Sequence, residues 1–141
     1  VGTVRMTPAA HGGAIDVRAR VRRLEPGFHG FHVHAVGRCE GPTFKSAMGH
    51  IGEGDGSHGD HQGDMPSLLV KRDGTATLRL ETDRFTLDEL RDADGSAVMV
   101  HADADNFANI PPRYAPDGPD QKTRDTGDSG DRLACGTIAP R

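Results

Sequence analysis

Tryptophan is absent from this chain of 141 residues, tyrosine occurs once, and aromatic residues make up only 4% of it. Glycine, by contrast, occurs 19 times and proline 9 times. This profile suits short strands joined by long, turn-rich loops. No run of about 18 apolar residues exists, which excludes a spanning helix. The formal net charge of −4 argues against nucleic acid as a partner. No charged segment followed by an apolar one opens the chain at Val1, so a signal peptide has been removed or was never there. Lysine is scarce, at 3 against 14 arginines, a codon bias that hints at a GC-rich bacterial genome. Only two cysteines occur, Cys39 and Cys135. They are either free buried thiols or one disulfide closing a long loop, and a disulfide would place the protein outside the cytosol.

The length fits one domain, residues 1–141, with a real core. Gly2 to Thr7 alternates, with Val4 and Met6 on one face. Ala14 to Leu24 sets Ile15, Val17, Ala19 and Val21 against Asp16, Arg18, Arg20 and Arg22, the pattern of a half-buried strand. A third strand spans Phe28 to Ala35. Ser67 to Arg72 and Thr75 to Leu80 flank Asp73-Gly74, a two-residue hairpin signal. Thr86-x-x-Glu89 opens a short helical turn, and strands are expected at Ala97–His101 and Leu133–Ile138. Residues 37–66 and 102–131 show no period, and loops of that length are usually functional. No repeat is present, and the Gly52–Gly56 run lacks the glutamate an EF-hand needs. The class is all-β, a sandwich or barrel.

Six of the eight histidines fall in four segments: His32-Val33-His34, His50, His58 with His61, and His101. Imidazole is the commonest side-chain ligand of zinc and copper, and His-x-His on a strand points both rings to one face. His50, His58, His61 and Asp64 complete a tetrahedral zinc shell. A shell of four protein ligands has no vacancy for water, so such a site is structural and a zinc hydrolase is disfavoured. His32, His34 and His101, joined by His50, give an all-nitrogen set suited to Cu(II). His11 and His29 have no place in this scheme and are read as exposed or structural.

The strings Gly27-Phe28-His29-Gly30-Phe31-His32-Val33-His34, Ser46-Ala47-Met48-Gly49-His50, His61-Gln62-Gly63-Asp64, Val98 to Asn106 and Arg132-Leu133-Ala134-Cys135-Gly136 resemble the bacterial branch of the Cu,Zn superoxide dismutase family, in family order over nearly the whole chain. The resemblance implies a Greek-key β-barrel or sandwich with two long functional loops, the architecture general knowledge already gives this family. It implies copper on His32, His34, His50 and His101, zinc on His50, His58, His61 and Asp64, and His50 as the shared ring. It assigns Asp105 to the outer shell, linking one histidine of each metal, Arg132 to positioning the anion, and Cys39 with Cys135 to an intrasubunit disulfide. The implied reaction is dismutation of superoxide to oxygen and hydrogen peroxide, with His50 carrying a proton. A non-catalytic copper storage or delivery module on the same fold is the alternative. The implied location is extracytoplasmic. The resemblance covers monomers and dimers alike, so a homodimer stays open.

Three departures from the family pattern set further expectations. Only Gly59 and Asp60 separate His58 from His61, which makes His58 the hardest ligand to place. The family's first strand is expected to be missing at the N-terminus, leaving an open edge. Residues 103–131 carry Asp103, Asp105, Asp117, Asp120, Asp125, Asp128 and Asp131 against Arg113, Lys122 and Arg124. An acidic loop steers an anion poorly, so a slower rate with a shallow salt dependence is expected.

Overall fold

The computed structural model describes residues 1–141. Eight strands run in order: β1 (Gly2–Pro8), β2 (Ile15–Arg22), β3 (Gly27–His29), β4 (Phe31–His34), β5 (Leu68–Val70), β6 (Thr75–Thr82), β7 (Ser96–His101) and β8 (Arg132–Ile138). Helical structure is confined to a 3-10 turn at Lys45–Ala47 and to two short helices, α1 (Leu87–Leu90) and α2 (Gln121–Thr126). The protein is therefore all-β. Three antiparallel sheets form, in the orders β1-β2-β6, β3-β5 and β4-β7-β8.

Alternation decides which side chains face inward. In the first sheet Val4 pairs with Ala19 and Ala19 with Leu78, while Met6, Val17 and Leu80 form the next row. These rows face the core, which Phe31, Val33, Val98 and Val100 close from the third sheet. The alternate residues of β4 are His32 and His34, so they lie on the far side of that sheet from the core. Residues 37–66 cover this outer side: Ala47, Phe44 and Cys39 pack there against Ala97, Met99 and Cys135.

The strand expected over Phe28–Ala35 is divided at Gly30, whose N–H donates to Asp103 O (2.9 Å) and whose carbonyl accepts from His101 N–H (2.9 Å). The backbone at this point serves the segment after β7 instead of a continuous ladder. The Asp73-Gly74 turn also differs from expectation. Lys71 N–H donates to Thr75 O across three loop residues, with Gly74 at a positive φ of 76°. Three-residue loops of this kind place glycine in the left-handed region. The 102–131 stretch, read as irregular, contains α2. Its N-cap Asp120 accepts from Thr123 N–H, and Gly127 ends it. The Thr86–Glu89 capping box forms as expected and opens α1. β1 pairs only with β2, and β8 only with β7.

Candidate metal centre

β4 supplies His32 and His34, and β7 ends in His101. The loop then lies along β4 as irregular strand. Ala35 N–H donates to Gly49 O, Ile51 N–H to Val33 O, and Val33 N–H to Gly63 O. These bonds place His50 opposite His34 and Asp64 opposite His32. A side chain at residue 63 would collide with the carbonyl of Val33, so only glycine allows this approach. Six histidines and Asp64 thus meet in one buried cluster, each less than 7% exposed.

Two groups of ligand atoms emerge. In His32, His34, His50 and His101 every ligand atom lies within 4.8 Å of the others, and the same holds for His32, His50, His58 and Asp64. His61 is outside that second group, yet its ring lies 5.7 Å from His50 and 5.6 Å from His58, with Nδ1 3.5 Å from Asp64. Hydrogen bonding sorts the nitrogens. His32 Nε2–H donates to Asp105 (2.6 Å), His34 Nδ1–H to Met48 O (2.7 Å) and His101 Nδ1–H to Gly130 O (3.1 Å). One nitrogen per ring stays free, and His34 Nε2 lies 3.4 Å from His101 Nε2.

His58 Nε2–H donates to the same Asp105 carboxylate (2.8 Å). Asp64 Oδ2 accepts from Gly59 N–H (2.7 Å) and His61 N–H (3.1 Å). Its Oδ1 lies 3.0 Å from His50 Nδ1 and 3.2 Å from His58 Nδ1, without the alignment of a hydrogen bond. The buried polar side-chain atoms left without a partner are His32 Nδ1, His50 Nδ1, His58 Nδ1, His61 Nδ1 and Asp64 Oδ1. Unpaired buried polar atoms are costly. Five of them converging are what cation coordination requires, and three imidazole nitrogens with one carboxylate oxygen form a zinc-type donor set. The residues present fit two metals.

Electrostatics suit the same role. Burial pushes the imidazoles of His32, His34 and His101 down to about 4, 2 and 3, which keeps them neutral, the form that ligates. His58 differs. Burial lowers it too, but Asp105 and Asp64 outweigh this and raise it to about 9. Burial would raise the carboxyls of Asp64 and Asp105. The histidines beside them hold both well below the ordinary carboxylate range instead.

Arg132, at the start of β8, is half-buried. It donates from Nη1 to Phe44 O (2.7 Å) and from Nη2 to Met48 O (2.7 Å), the carbonyl that also orients His34. Burial lowers its pKa. Cys39 and Cys135 form a disulfide with Cα atoms 5.7 Å apart, tying the 37–66 loop to β8. Of the two histidines outside the scheme, His11 is exposed, and His29 is buried with its ring between His101 O and Glu25 O.

The copper/zinc superoxide dismutase (SODC) profile matches residues 1–138. This chain belongs to the copper/zinc superoxide dismutase family. It is 47% identical over 133 residues to the Cu-Zn superoxide dismutase of Mycobacterium tuberculosis, a match covering 84% of this chain and 55% of that protein. It is 34% identical over 152 residues to the Escherichia coli K12 Cu-Zn superoxide dismutase, covering 98% of this chain and 78% of the other. The chain thus spans little more than half the length of its mycobacterial relatives. Among solved structures, a SOD-like protein from Bacillus subtilis superposes with a TM-score of 0.77 at 28% identity, covering 98% and 89% of the two chains. Family membership and the two ligand groups together support copper and zinc as the cofactors.

Several residues that shape the centre carry no signal in a single sequence. Arg84 donates to Gly59 O (2.9 Å) and His61 O (3.0 Å) and so braces the short loop between His58 and Asp64. Phe107 stacks on the His58 ring at 6.1 Å. The carbonyls of Met48 and Gly130 fix ring tautomers, yet any residue type supplies a carbonyl.

Proposed function

We propose that the chain is one domain that dismutates superoxide. In this reading His32, His34, His50 and His101 hold copper. His50, His58, His61 and Asp64 hold zinc, with the His50 ring shared. The carrying observation is the set of five partnerless buried donor atoms. His32 and His50 belong to both ligand groups, and of these two His50 turns its Nδ1 to Asp64, at 3.0 Å, which favours it as the shared ring. Bound copper supplies a one-electron couple, and bound zinc a fixed positive charge.

The chain's residues do the rest. Arg132 is always charged and planar, and it pairs with the incoming anion. Its two bonds to Phe44 and Met48 hold it in register with the His34 ring. One superoxide gives up an electron and leaves as oxygen. A second gains that electron and two protons and leaves as hydrogen peroxide. In the first half the His50 ring nitrogen turned away from Asp64 would take up a proton from water; in the second half His50 would give that proton up, and water would supply the other. Asp105 holds the His32 and His58 rings in one tautomer, which keeps both ligand sets aligned.

The disulfide supports an extracytoplasmic location. The test is reconstitution with copper and zinc followed by measured superoxide consumption. Wild-type chain should turn over. Arg132→Ala should lose rate while keeping copper, and His34→Ala should lose both. Stoichiometric copper with no turnover would favour the storage or delivery module instead.

A further inference from the structure

The outer face of the β1-β2-β6 sheet concentrates positive charge in a chain whose net charge is −4. Register sets its rows. Arg5 lies opposite Arg18 and Arg18 opposite Arg79; Thr3, Arg20 and Thr77 form the next row, and Arg22 pairs with Thr75 beyond it. All five arginines are exposed. The only carboxylates sharing the face are Asp16 and Glu81, in a row with Thr7. Asp16 accepts from Arg18 (2.8 Å) and Arg79 (3.2 Å), whereas Arg5, Arg20 and Arg22 form no ion pair. Like charges placed directly opposite across strands are unfavourable. Asp16 offsets this for Arg18 and Arg79, while Arg5, Arg20 and Arg22 remain available to an external anion.

We propose that this face docks on an anionic phospholipid membrane. Charge complementarity is the first argument. Shape is the second, since three adjacent strands present their arginines over a broad sheet surface, interrupted by an open concavity among Thr3, Arg20, Arg22, Thr75 and Thr77. The face carries no aromatic side chain, and stacking platforms are what single-stranded nucleic acids need. Basic side chains near an anionic leaflet each add to binding.

Orientation is the third argument. The inward residues of β2 meet Phe31 and Val33 across the core, while His32 and His34 point out of the opposite layer. The acidic 103–131 segment also lies on that opposite side, because Asp105 bonds His32 and His58 and the Arg124 carbonyl accepts from His58 N–H. Docking through the arginine face would therefore turn the metal centre and the acidic segment away from the lipid.

The experiment is co-sedimentation of the full, metal-loaded chain with vesicles of phosphatidylglycerol and phosphatidylcholine, or of phosphatidylcholine alone, at low and high salt. Binding is expected only to the phosphatidylglycerol vesicles and should vanish at high salt. The double variant Arg20→Ser, Arg22→Ser removes no ion pair and should lower partitioning about 10- to 30-fold, with the melting temperature and superoxide consumption unchanged. Arg113→Ser, outside the face, should leave binding intact. Equal binding to both vesicles, no binding to either, or indifference to the double variant would overturn the proposal. So would retention on single-stranded DNA without vesicle binding.

Discussion

Asp105 bonds one histidine proposed for copper and one proposed for zinc, at 2.6 Å to His32 and 2.8 Å to His58. Asp105→Asn keeps the shape but replaces one acceptor oxygen with an N–H donor facing imidazole N–H. Outer-shell changes of this type cost roughly 10- to 100-fold in metal affinity, so chelator competition should show both metals held more weakly. Unchanged affinity for both would remove Asp105 from the positioning role. Gly127 is a second control point. It sits at φ 60° and packs on the Asp105 carboxylate and the His58 ring, so an alanine methyl there would overlap both. Gly127→Ala should cost more than about 1 kcal/mol and weaken zinc more than copper; denaturant melts with zinc titration check this. The histidine spacings were readable because ligand chemistry restricts residue type. Gly127 was not, because its constraint arises only when residues 58, 105 and 127 meet in space.

Alternation made the strands legible, since one buried face forces a period of two. It could not show where β3 gives way to β4, because Gly30 is recruited by Asp103 and His101 from far along the chain. The short spacing from His58 to His61 pointed to an awkward ligand. In the structure His58 is buried, with Nε2 bonded to Asp105 and Nδ1 unpartnered 3.2 Å from Asp64 Oδ1. The loop manages this partly through Arg84, which gathers the carbonyls of Gly59 and His61. Arg84→Ala removes two bonds from a loop rich in glycine. Amide exchange should accelerate over residues 57–64, and zinc should dissociate faster while copper release stays unchanged. Equal protection in both proteins would show that the loop holds itself.

At the scale of the molecule, the fold brings seven buried ionisable ligand candidates into one volume and relies on cations to compensate them. The disulfide offsets part of that cost: it spans 96 residues, and chain entropy assigns such a closure about 4–5 kcal/mol. Without metals the protein's stability should therefore depend on pH, and the direction follows from the shifts. His58 is raised from 6.5 to about 9. The stability it contributes is complete below pH 6.5 and is lost as pH climbs through 9. His32, His34 and His101 are lowered from 6.5 to about 4, 2 and 3. Below pH 6.5 the unfolded chain binds protons at these three positions before the folded one does, so stability falls as acid is added. Asp64 and Asp105, both depressed, add a further loss once pH drops below the ordinary carboxylate range. One histidine favours lower pH and three oppose it, with the crossover near 6.5. Urea midpoints of the chelated, disulfide-intact chain should peak close to neutrality and decline on both sides, steeply toward acid. A midpoint still rising between pH 6.5 and 5 would mean that the buried rings accept protons in place. The cluster would then be looser and wetter than its burial indicates.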